Sequence, residues 1–149
     1  MALKSGPTGM GQMRSTRTTM MSSSLLGLVA LLAGCSSSGA TYSVLDGQAG
    51  PDDELPSVVV EGSDEIAFDT ARYVGEHDDT RLWLARAERP DTVCLIVYPN
   101  DREWVVGCGA EGGAIGVGGP SGDFVVTPDG APAPDDSLKV ADNVFVATN

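Results

Sequence analysis

Hydrophobic positions fall into two regimes along this chain. From Leu25 to Ala33 they form one run of nine residues, interrupted only by Gly27. Beyond residue 70 they come as short stretches, alternating or wholly apolar, separated by turn-forming residues. No stripe with a period of 3.6 residues is long enough for a packed helix, so the second regime predicts strands. The expected strands are 72–75, 80–86, 92–98, 103–108, 114–117, 123–127 and 144–148. Their connections carry His77-Asp78-Asp79, Pro99-Asn100-Asp101, Gly118-Gly119-Pro120 and Pro128-Asp129-Gly130, residue types that stabilise tight turns. Short sequential connections imply an antiparallel β-meander of about seven short strands, closed as a sandwich or a barrel. Ser63-Asp64-Glu65 could cap a turn carrying Ile66 and Phe68, so at most one short helix is expected, and it is placed there.

The hairpin around Asp101 has a register that can be read off directly. Cys94 and Cys108 are equidistant from it, and pairing them sets Ile96 opposite Val106 and Tyr98 opposite Trp104. Even-numbered residues then share one face. A disulfide between Cys94 and Cys108 would close a loop of about 15 residues and stabilise a small domain by roughly 3 kcal/mol. Such a bond persists outside the cytosol.

The first regime supplies that compartment. The run 25–33 has the length of a signal-peptide core and about half of the roughly 20 residues needed to span a bilayer. Arg14 and Arg17 precede it, and it ends in Leu32-Ala33-Gly34-Cys35. This ending resembles the lipobox of bacterial lipoproteins. The resemblance implies a diacylglyceryl group on the Cys35 sulfur and cleavage between Gly34 and Cys35. It also implies attachment to the extracytoplasmic face of the cell membrane by acyl chains such as palmitate, two of which suffice for stable anchoring. The stretch before residue 22 is longer than a signal peptide needs, which leaves Met1, Met10 and Met13 as alternative starts.

Three domains of use follow: a signal peptide over 1–34, a lipidated cysteine with a flexible acidic linker over 35–63, and a β-rich domain over 64–149. As a random coil the linker would hold the domain on the order of 30 Å from the membrane. The chain has nine basic residues against 21 acidic ones, and Lys4, Arg14 and Arg17 precede Cys35, so the part beyond it carries a formal charge of −15. A polyanion of this kind repels phosphate backbones and anionic headgroups. Nucleic acid is excluded as a partner, and attachment must come from lipid rather than charge.

Several motifs invite a catalytic reading. Gly107-Cys108-Gly109-Ala110-Glu111-Gly112 spells the dinucleotide fingerprint, but the glycine-rich 113–119 after it cannot continue as the helix that would hold a pyrophosphate. A turn and an edge strand are expected instead, and no cofactor. His77 is the lone histidine, flanked by Glu76, Asp78 and Asp79 in an expected hairpin turn, where neighbouring residues seldom converge on one metal ion. No metal site is therefore expected. Asp52-Asp53-Glu54 and Asp135-Asp136 offer paired carboxylates, yet acid–base work by such a pair needs a deep cleft. Trp83, Tyr98 and Trp104, with His77, form the candidate ligand surface, against the plainer expectation that the aromatics pack in the core.

Gly75-Glu76-His77-Asp78, followed by Leu82-Trp83-Leu84-Ala85-Arg86 and Val93-Cys94-Leu95-Ile96-Val97, resembles small lipoproteins of high-GC Gram-positive bacteria over most of residues 70–149. That group is defined by pattern and implies no substrate. The expected function is a non-catalytic binding or accessory module at the cell envelope, presenting a β-surface to an envelope protein, a wall polymer or a small ligand. The alternative is a small envelope hydrolase working through His77 or an Asp/Glu pair.

Overall fold

The structure is a computed structural model, and it describes residues 39–148. The polypeptide is mainly β: eight strands in two four-stranded antiparallel sheets, with one short helix and a disulfide. The strands are β1 Arg72–His77, β2 Thr80–Arg86, β3 Thr92–Tyr98, β4 Val105–Ala110, β5 Ile115–Gly119, β6 Gly122–Val126, β7 Ser137–Lys139 and β8 Val144–Ala147. The first sheet is a simple meander, β1-β2-β3-β4, and the second runs β5-β6-β8-β7. Sequence reasoning missed β7, three residues on the sheet edge centred on an exposed Leu138, because so short an edge strand carries no alternation to read. Among the described residues, no helix is long and apolar enough to cross a membrane.

The strand patterns explain the layering. In β2 and β3 nearly every residue is buried, because this sheet is covered on both sides. Leu82, Leu84, Val93, Leu95 and Val97 face the second sheet and meet Ile115, Val117, Phe124, Val126, Val144 and Val146. Trp83, Ala85 and Ile96 face the other way, onto Leu55, Val59, Ile66 and Ala71. Burial on both faces is what lets the apolar run Thr92–Tyr98 stay a strand without exposing oil to water. The second sheet has only one covered face along β5, so Ile115 and Val117 alternate with exposed Gly116 and Gly118.

The cover over Trp83 comes from the segment expected to be a flexible linker, and here the expectation is corrected. Tyr42, Leu45, Leu55 and Val59 are buried, so the folded domain begins near residue 42 rather than residue 64. Three polar clamps hold this segment down. Asp53 accepts hydrogen bonds from the Gly50 and Tyr73 backbone N–H groups at 2.7 and 2.6 Å, which occupies a backbone donor on edge strand β1. Arg86 pairs with Glu111 at 2.6 Å and with Asp46 at 3.1 Å. Asp129 accepts from the Ser43 N–H at 2.8 Å and from the Asn143 side chain at 2.9 Å. Acidic composition suggested solvation, and the acids are instead spent partly on intrachain bonds.

The helix also differs from expectation. α1 is Ser57–Gly62, preceded by Pro56, and not the turn begun at Ser63. Val58, Val59 and Val60 are poor helix formers, but a proline fixes the backbone entering the first turn, and burial of Val59 outweighs the propensity cost. Ile66 forms an isolated bridge to Ala87, and Phe68–Thr70 is a 3-10 turn.

Candidate functional site

The hairpin register derived from the cysteines is the one observed. Cys94 lies opposite Cys108, Leu95 opposite Gly107 and Ile96 opposite Val106, and the two cysteines are bonded with their Cα atoms 4.0 Å apart. The even face of β3 and β4 therefore continues the odd face of β2, and it gathers the aromatic residues of the sheet. Tyr73 and Tyr98 stand edge-on to Trp83, with ring centroids 5.5 and 6.2 Å away. The Arg81 guanidinium lies 4.5 Å from the Trp83 ring centre and 5.5 Å from that of Tyr73. Stacked cations of this kind are attracted by the negative faces of the rings.

This arrangement corrects part of the candidate ligand surface. Trp83 is fully buried, beneath Arg81 and beside Ile96, and its indole N–H donates to the Asp52 carbonyl at 3.3 Å. It is a core residue with no surface open to solvent. Trp104 is half-buried, against the helix end at Gly62, where an added Cβ would stand 2.7 Å from its ring. Tyr98 is half-buried and donates its phenol hydrogen to Asp101. That bond, then burial and the Asp101 charge, raise the Tyr98 pKa, with Arg81 pulling the other way. The partly exposed members of the shelf are thus Tyr73, Arg81, Tyr98 and Trp104. Arg81 was not singled out from the sequence, although alternation along β2 puts it on the Trp83 face.

His77 is not part of this shelf. It closes β1, pairs with Thr80 across a two-residue turn, and packs edge-on to Phe124 with ring centroids 6.3 Å apart. The turn residues Asp78 and Asp79 both have positive φ, 46° and 60°, the geometry that matches the twist of a hairpin. Asp78 is the carboxylate beside the imidazole, at 3.4 Å. The hydrogen bonds of the described residues bring no hydroxyl to His77, so a nucleophile–base–acid relay is not assembled there. Among the described residues, no group of three His, Cys, Asp or Glu converges as a metal site would.

Among the described residues, Asp53 is the one of the paired acids Asp52-Asp53-Glu54 and Asp135-Asp136 bonded through its carboxylate, and Asp136 serves through its backbone. Asp136 has φ of +49° and its carbonyl accepts from the Thr148 N–H and hydroxyl at 2.7 and 2.8 Å. Asp53 clamps the edge strand as described. The glycine motif is a packing device: Gly107 and Gly109 lie against Val117 and Ile115, where the first sheet meets β5. A Cβ on Gly109 would stand 2.8 Å from Ile115 Cγ1, closer than real Cβ atoms come. Gly34 and Cys35 lie outside the described residues.

No protein-family model, no curated protein and no solved structure matches the chain. What the shelf offers chemically is a guanidinium within cation–π reach of two rings, on a face that also carries a phenol and a second indole. Groups of this kind hold planar or polar ligands.

Proposed function

We propose that the chain is a lipid-anchored protein of the cell envelope, held through Cys35 on the extracytoplasmic face of the membrane, and that its β domain is a non-catalytic binding or accessory module. The observation that carries this reading is the bonded pair Cys94–Cys108 on adjacent strands. Structural disulfides belong to oxidising compartments, the destination implied by the lipobox Leu32-Ala33-Gly34-Cys35. The binding role is supported by the partly exposed Tyr73–Arg81–Tyr98–Trp104 shelf.

Burial of Tyr42 changes the expected reach. Tyr42 lies seven positions beyond Cys35, a span of at most about 25 Å when fully extended. The domain is then kept close to the membrane, and its partners are envelope components met within that distance.

The test is metabolic labelling of the full chain in a bacterial host with an alkyne fatty acid, beside Cys35→Ser. Label on the wild type, its loss in the variant, and a mature N-terminus at Cys35 by mass spectrometry are expected. An unlabelled wild type, or a mature N-terminus elsewhere, overturns the anchor.

A further inference from the structure

A second surface lies on the far side of the covering segment. Between α1 and the turn Phe68–Thr70 runs an open cleft of about 480 Å³. Leu55, Val60 and Phe68 give it apolar walls, and Val60 is 42% exposed, one of two large apolar side chains left so open among the described residues. Glu54, Glu61 and Asp69 form its rim. All three are exposed, and none pairs with a lysine or arginine in the ion pairs of the described residues. A fourth carboxylate, Asp53, also lines the cleft but is committed to Gly50 and Tyr73. Arg72, next to this lining, is turned to the Gly47, Asp69 and Ala71 carbonyls and to Asp53.

We infer that this cleft docks a basic peptide segment of a partner protein, one in which Lys or Arg alternates with aliphatic residues. The inference deepens the binding reading by naming the class of partner, and it rests on that reading for where the partner is met. Charge selects the ligand. Three carboxylates without cationic partners, on a domain of formal charge −15, exclude anionic ligands and raise the local concentration of cations. Apolar walls select among cations. A small hydrated ammonium ion gains nothing from Leu55, Val60 and Phe68, whereas lysine and arginine lay their aliphatic stems on such surface and leave the charged head at the rim. The cleft volume falls in the range of ligand sites and exceeds one side chain, which favours a short segment over a single residue.

The probe is a fluorescein-labelled pentapeptide, Lys-Val-Lys-Val-Lys, titrated with the full-length protein in non-ionic detergent at low salt and followed by anisotropy. Each exposed ion pair contributes a factor of about two to three, so Glu54→Gln with Glu61→Gln and Asp69→Asn should weaken binding about tenfold or more. An equal charge removed elsewhere, Asp64→Asn with Glu65→Gln and Glu88→Gln, should change it less than twofold. The glycine-spaced peptide Lys-Gly-Lys-Gly-Lys should bind about tenfold more weakly than the valine peptide. Val60→Lys, at an exposed helical position, should abolish binding and serves as the second variant if the triple one loses its circular dichroism. Equal weakening by both triple variants, equal binding of the two peptides, or no binding by wild type overturns the inference. None of these outcomes bears on fatty-acid labelling of Cys35, so the two readings fail separately.

Discussion

Replacing Gly109 with alanine should destabilise the domain by about 1–3 kcal/mol, the usual cost of forcing an extra carbon into a filled core. The new Cβ would meet Ile115 Cγ1 at 2.8 Å, Cγ2 at 3.1 Å and Cβ at 3.4 Å. These atoms belong to a buried β-branched side chain, which has few rotamers with which to move aside. Relief must come from the backbones, by separating β4 from β5 at the junction of the sheets. For a domain of this size each kcal/mol lowers Tm by roughly 4 °C, so a drop of roughly 4–12 °C is expected by circular dichroism. Ile115→Ala alone costs about 2–4 kcal/mol through its cavity. In the double variant the alanine methyl enters that space, and the combined loss should fall short of the sum by about 1 kcal/mol or more. Gly112→Ala and Gly113→Ala, whose added Cβ would meet nothing within 4 Å, should stay within about 0.5 kcal/mol of wild type. Additive losses, or a neutral Gly109→Ala, would refute the reading of these glycines as a contact between sheets.

Two further outcomes concern the frame. Cys94→Ala with Cys108→Ala should lower stability by about 3 kcal/mol, from the entropy of a closed loop of about 15 residues; chemical denaturation of the oxidised wild type and the variant checks it, and unchanged stability refutes it. Desolvation opposes the charge on Asp129, but hydrogen bonds from Asn143, Ser43 and Thr41 outweigh it and hold its pKa below the ordinary aspartate value. A depressed folded pKa means a contribution present above the unfolded value of about 3.9 and lost as pH falls through the folded one. Asp129→Asn should therefore melt below wild type at pH 6, with the gap closing as pH drops below about 4; a gap independent of pH would remove Asp129 as the cause.

How much of this was legible depended on whether a residue's role was local. Strand positions, the hairpin turns at Asp78-Asp79 and around Asp101, and the Cys94–Cys108 register follow from alternation and turn chemistry, which act over a few residues. The fold class followed with them, mainly β and antiparallel, with one short helix and one disulfide. The processing signal proposed for residues 25–35 would be a linear pattern that needs no fold to be read, and those residues are not among the ones described.

Tertiary structure decided what covers what. Residues 42–63 look solvated in sequence, since their few apolar side chains sit among Gly, Pro and acids, yet Leu55 and Val59 close the far face of the first sheet and Tyr42 and Leu45 enter the core between sheets. Trp83 was separated from Tyr98 and Trp104 only by that cover, which buried the one and left the others partly open. The glycine motif, expected as a turn and an edge strand, became a contact between sheets once β5 was seen against β4. Amino-acid order sets which face a side chain occupies; what stands opposite that face depends on segments distant in the chain, and burial decides it.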